Sequence, residues 1–220
     1  MFEATEIINE NKDWITFVFL IILLILTIAK VFFNDRLLHL STLFISKKYF
    51  LTYFNKEKDN VLSVFQILLF IVQLLVVSMF LYYANIYFQQ KNDFFGLNNY
   101  MLIVAGVCIY LGLRFLAGLL LAHILDFKNG HKKLVFEKMN YLNSLILWMI
   151  PFLILCVYAT KFKFFFFVIT FSLFVLLIVI RYVLFLSNNK KLVFNDLFYF
   201  ILYLCTLEIA PLIIFFKLTI

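Results

Sequence analysis

Apolar runs of membrane-crossing length recur along the chain, separated by short connectors rich in lysine, asparagine and aspartate. A helix rising 1.5 Å per residue needs about 20 residues to cross a hydrocarbon layer about 30 Å thick. Six runs meet that requirement: 14–33, 61–83, 100–124, 141–158, 164–186 and 197–218. The pattern predicts an all-α membrane protein, a six-helix transmembrane bundle forming one polytopic domain over residues 1–220. The fourth run is the shortest, and the "TKFK" that follows it, Thr160 to Lys163, predicts a tight hairpin into the fifth.

The connector 34–60, "NDRLLHLSTLFISKKYFLTYFNKEKDN", is long for a loop and too apolar to be solvated throughout. Leu37, Leu40, Phe44 and Leu51 fall roughly on one helical face, while Lys47, Lys48, Lys56 and Lys58 supply charge. That combination predicts an interfacial amphipathic helix on the inner leaflet, directly after the first span. A hairpin packed on the bundle is the alternative.

Composition agrees with the pattern: 65% of the residues are hydrophobic and 14% charged, with a mean hydropathy of +1.04. Soluble domains are about 45–50% apolar and about 25% charged, so this chain has too little polar surface to cover a water-soluble core. The net charge of +7 does not point to a nucleic-acid partner, because the cations cluster between apolar runs, as in loops held at an anionic cytoplasmic leaflet. Eleven Lys and Arg residues lie in the connectors after the odd-numbered spans, against five on the other face. Both termini are therefore expected on the periplasmic side of a bacterial inner (cytoplasmic) membrane. Trp14, Tyr82, Tyr83, Tyr87 and Tyr100 fall at the expected outer boundary, where amphipathic rings settle. The acidic N-terminus, with Glu3, Glu6, Glu10 and Asp13, lacks the positive charge of a cleaved signal, so the first run is expected to stay as an anchor.

Three ionisable residues fall deep within the runs: Arg114, Arg181 and Glu208. A charge near the centre of a lipid-facing helix costs about 2.5–3.5 kcal/mol on insertion scales, so Arg114 and Glu208 are expected to face the bundle interior and to pair. Arg181 lies near enough to the inner boundary to snorkel. Gln66 and Gln73, seven residues apart on the second span, share a face and offer donors. Together these five predict an intramembrane polar cluster, which either fixes helix register or holds an anionic head group or solute. Gly106, Gly112 and Gly118 make the third span the candidate central helix, since small residues let backbones approach closely. Pro151 and Pro211 are expected to kink the fourth and sixth spans and to free the carbonyls of Leu147 and Leu207.

Enzyme signatures are thin: no GxSxG, HExxH, glycine-rich phosphate loop or intramembrane aspartate pair occurs, which leaves an enzyme acting on a lipid as the third reading. His123, Asp126 and His131 read as a solvated helix end rather than a metal site, and no cofactor is expected. Cys108, Cys156 and Cys205 stand singly in apolar runs and read as small buried hydrophobes. "KKLVF" occurs twice, at Lys132 to Phe136 and Lys190 to Phe194, which reads as two similar helix-start signals or as a duplicated hairpin.

The stretches "LYLCTLEIAPLIIFFK", Leu202 to Lys217, and "YLGLRFLAGLLLAHIL", Tyr110 to Leu125, resemble an integral-membrane family of Bacteroidota defined only as a domain of unknown function. The sharpest part of the resemblance is Leu207, Glu208 and Pro211. It implies a bacterial inner-membrane location and a polytopic helical fold over nearly the whole chain, with no activity attached. The reading at this stage is a non-enzymatic component of a cell-envelope process, acting through the lipid bilayer or other envelope membrane proteins. The alternative is a small-solute or lipid transporter subunit, similar in span number to the substrate-binding membrane subunits of energy-coupling vitamin importers.

Overall fold

The computed structural model describes residues 13–43, 64–89, 96–124, 128–159 and 162–188, and they form six α-helices with no strand among them. In chain order these are α1 (Asp13–Phe32), α2 (Asn34–Ser41), α3 (Val64–Gln89), α4 (Leu97–Ile124), α5 (Lys128–Tyr158) and α6 (Lys163–Asn188). Four of them, α1, α3, α5 and α6, contain stretches long and apolar enough to cross a membrane. The sixth predicted span, with Glu208 and Pro211, and the connector beyond Leu43 lie outside the described residues.

The four long spans and α4 run antiparallel in succession and are locked together at the end that carries Trp14. Trp14 meets Tyr82 edge-on with ring centroids 5.4 Å apart, and lies 5.2 Å from Tyr100. Tyr82 and Tyr100 stand perpendicular at 6.1 Å, completing an aromatic group built from α1, α3 and α4. The Tyr100 hydroxyl donates to the Leu75 carbonyl at 3.4 Å, so a ring at the start of α4 closes on the middle of α3. Gly96 starts α4 with φ +151°, which residues bearing a Cβ rarely adopt, and its N–H donates to the Tyr82 hydroxyl at 3.4 Å. Across the bundle, the Tyr158 hydroxyl donates to Thr16 Oγ1 at 2.8 Å, setting the end of α5 level with the start of α1.

Beneath this aromatic end the core is aliphatic. Ile15, Val18, Phe19 and Ile22 of α1, Val72, Val76 and Met79 of α3, and Leu145, Met149 and Leu153 of α5 form one buried cluster. Leu173, Phe174, Leu177 and Ile178 of α6 pack on it. The central helices are α3, which contacts α1, α4 and α5, and α5, which contacts α2, α3, α4 and α6. Among the described residues the first half of α4, the glycine-rich third span expected at the centre, is open: a Cβ added to Gly106 or Gly112 would meet nothing within 4 Å. Met101, Leu102, Ile109, Leu113 and Leu116 of the same helix are exposed.

The opposite, basic end carries Lys30, Arg36 and the lysines of early α5. There a second buried cluster joins Leu40 and Leu43 with Phe65 and Leu69 of α3 and Phe136 and Tyr141 of α5. The described part of the predicted interfacial segment is therefore a short helix seated on the bundle by Leu40 and Leu43. A single non-helical residue, Phe33, separates it from α1. Its last four carbonyls, which no further turn can satisfy, all have donors: Leu38 from Ser41 Oγ (2.8 Å) and Thr42 N (3.3 Å), and His39 from Thr42 Oγ1 (3.3 Å). Leu40 is satisfied by Leu43 N (3.2 Å) and Ser41 by Trp148 Nε1 of α5 (3.1 Å).

α5 begins at Lys128, not near Tyr141, so the lysine-rich stretch expected as a connector is three further turns of helix. Pro151 lies inside α5 with its ring exposed, and the helix continues past it to Tyr158.

Candidate functional site

The extended α5 brings a set of polar residues into the interior that the sequence reading assigned to a connector or a helix start. Glu137, Asn140, Asn143 and Ser144 are all buried, with 4%, 0%, 3% and 0% of their surface exposed. Their spacings of three, four and seven residues keep them on adjoining faces over two turns. Gln66 on α3 and Arg181 on α6 are buried with them, at 2% and 7%.

Helix register puts these three helices' contributions at one depth. Asn140 lies 18 residues, roughly 27 Å, along α5 from Tyr158, and Gln66 lies 16 residues, roughly 24 Å, along α3 from Tyr82. Thr170 Oγ1 of α6 approaches the Phe152 carbonyl of α5 at 3.4 Å, and eleven residues further on Arg181 Nη2 donates to the Lys138 carbonyl at 3.3 Å. The row therefore crosses α3, α5 and α6 near the basic end. Gln73, two turns closer to the aromatic end on α3, is buried above it.

Arg181, near enough to the inner boundary to snorkel, turns its guanidinium across to α5, with its carbon 5.8 Å from the centroid of the Tyr182 ring. The Asn140 amide donates to the Phe136 carbonyl one turn earlier at 2.9 Å. Among the described residues, Asn143 Nδ2, Asn143 Oδ1 and Ser144 Oγ have no hydrogen-bond partner, although they are buried. An unsatisfied buried amide or hydroxyl costs about 1–3 kcal/mol, so a packed interior normally avoids it.

The row joins two of the residues expected in the polar cluster, Gln66 and Arg181, to four that were missed. The signal for those four was present. "FEKMN", Phe136 to Asn140, continues the helical period of the fourth span backwards, but Lys132, Lys133 and Lys138 made it read as a connector, while Asn143 and Ser144 fell inside the predicted span without being singled out. Arg114 lies on α4 in register with Val107, Tyr110 and Leu111, and its side chain is outside the described set. The expected Arg114–Glu208 pair lies outside the described residues, as do the side chains of His123, Asp126 and His131. The second "KKLVF" copy lies outside them too. Among the described residues no group of three His, Cys, Asp or Glu is placed to hold a metal.

The aromatic group at the other end is a different kind of assembly. A cation recognised by rings sits within about 6 Å of each face. Trp14, Tyr82 and Tyr100 lie 5.2–6.1 Å from one another, so they fill that space mutually.

An all-helical chain with four helices of membrane-crossing length and apolarity, and a polar row buried near one end, has the architecture of a polytopic α-helical protein. The chain belongs to the family described as Domain of unknown function (DUF4271), whose model matches residues 15–219. No curated protein and no solved structure matches it.

Proposed function

We propose that this is a six-span protein of the bacterial inner membrane, with both termini periplasmic, that binds the polar group of a lipid or small solute in the buried row. It acts as a non-enzymatic component of a cell-envelope process. The observation that carries the reading is the row itself: Gln66, Glu137, Asn140, Asn143, Ser144 and Arg181, all buried in the interior of the helix bundle. Intramembrane charges are costly to insert and concentrate at functional positions. Asn143 and Ser144, without partners among the described residues, favour a binding role over a purely register-fixing one. The Arg114–Glu208 pair belongs to the same proposal, as a second polar contact between the third and sixth spans.

The test is isolation of the full chain from native membranes in polymer-bounded discs without detergent, followed by mass spectrometry of co-isolated lipids and solutes. The proposal expects one species enriched over the bulk membrane and lost in Gln66→Leu and Arg181→Met variants that still fold. Equal composition of wild-type and variant discs would assign the row to helix register alone. A periplasm-active reporter fused after Ile220 tests the orientation: it should be active, and a silent fusion would reverse the topology.

A second reading, assembly with another envelope protein, is favoured by the open face of α4. Gly106 and Gly112, with clear space beside them, lie along a ridge suited to close helix packing in a bilayer.

A further inference from the structure

The binding reading leaves the chemical class of the bound group open, and Asn143 and Ser144 narrow it. We infer that they recognise an uncharged, hydroxyl-bearing group, such as a sugar or glycerol moiety, rather than an anion. The inference rests on the binding role proposed for the row.

Charge argues first. The nine-tenths-buried members of the row include one carboxylate, Glu137, and one guanidinium, Arg181, with four uncharged residues. An anion reading needs a surplus of buried positive charge. Glu137 removes it, because it brings the ionised groups of the row to one of each sign.

Hydrogen-bond valence argues next and independently. On α5 the atoms without partners among the described residues are Asn143 Nδ2, which only donates, Asn143 Oδ1, which only accepts, and Ser144 Oγ, which does both. A phosphate diester or an ionised carboxylate only accepts. Such a ligand satisfies Nδ2 and leaves Oδ1 facing lone pairs in a dry interior, where an unmet group is expensive. A quaternary ammonium head group has no donor at all. Neighbouring hydroxyls donate and accept at once, so two of them meet the amide edge and the serine hydroxyl together. The two residues are consecutive on α5 and leave the helix about 100° apart, so a group that meets both lies across two adjoining faces. At the basic end of the row Lys138 and Met139 are half-buried.

The chemistry is shared by a glycolipid head group and a free polyol, and one experiment separates them. The full chain is delipidated in an amine-oxide detergent, which carries no sugar. Monoglucosyl diacylglycerol, phosphatidylcholine and phosphatidic acid are then offered singly, and retention is read by native mass spectrometry. Free glucose is tested by its effect on thermal unfolding.

Wild type should retain the glucolipid about tenfold over phosphatidylcholine, the ratio expected from about 1.4 kcal/mol of hydrogen bonding. Asn143→Leu should bring that ratio to about one, and Ser144→Ala should lower it severalfold. Stabilisation by glucose alone assigns a free polyol, and retention of the glucolipid without a glucose effect assigns a lipid. Both outcomes support the inference. Preferential retention of phosphatidic acid, unaffected by Asn143→Leu, overturns the hydroxyl class and leaves the binding role standing. Equal retention of all three lipids by wild type and variants, with no glucose effect, overturns both and assigns the two side chains to trapped water.

Discussion

Replacing Asn143 with leucine should make the empty protein more stable, the reverse of most substitutions at buried positions. Leucine has the same branching and number of side-chain heavy atoms as asparagine, so α5 keeps its shape, while two polar atoms without partners among the described residues are removed. An unsatisfied buried polar group costs about 1–3 kcal/mol. The gain on replacement should fall in that range, because Asn143 is only 3% exposed and draws little on solvent. At about 2–4 °C per kcal/mol for a chain of this length, the melting temperature should rise by several degrees.

Cys156 offers the assay. Its thiol is buried, whereas Cys108 is exposed. With Cys108 and Cys205 replaced by serine, a thiol-reactive dye reports only the exposure of Cys156 on heating. The comparison is made on delipidated protein, then repeated with the ligand of the row restored, where the wild type should recover and the gap should narrow or reverse. A lower melting temperature for the delipidated leucine variant would refute the reasoning, since it would mean that the amide is already satisfied.

Three other outcomes follow from packing and hydrogen bonding away from the row. Leu40→Ala should cost about 2–5 kcal/mol and make α2 a preferred site of limited proteolysis, because Leu40 is fully buried and anchors that helix to α3 and α5. A Tyr158→Phe and Thr16→Val double-mutant cycle should return a coupling of about 0.5–1.5 kcal/mol for their 2.8 Å hydrogen bond. Additive losses would mean that the bond contributes nothing. Gly96→Ala should cost about 1–3 kcal/mol through its positive φ alone, since the added Cβ meets no neighbour; an unchanged melting temperature would show that α4 can start in another conformation.

Much of the helical framework was legible as apolar runs, because a segment that must satisfy its backbone without water has few choices but to be helical. The predicted starts of the first, third and fifth spans lie within a few residues of those of α1, α4 and α6. The fourth was misjudged because lysine marks a span's flank in a membrane sequence while remaining a good helix former. Charge thus ended the predicted span where the helix itself continued. The same error hid Glu137 and Asn140, and with them the charge balance of the row. Gln66 and Arg181, both buried, stood out in the sequence because a polar residue inside an apolar run is conspicuous on its own. The direction of Arg181 did not, since a residue near a span's end is equally placed to reach outward or across, and the choice depends on α5 offering the Lys138 carbonyl. The open face along the first half of α4 was also beyond pattern reading, because both faces of that helix are apolar and periodicity does not distinguish lipid from protein as a neighbour.

The most direct test of the binding role is an experimental density map of the full chain in native-lipid discs. The account predicts non-protein density within about 3.5 Å of both Asn143 Nδ2 and Ser144 Oγ, the reach of a hydrogen bond. A row closed on itself, with the Asn143 amide and the Ser144 hydroxyl bonded to protein atoms and no density beside them, would contradict it.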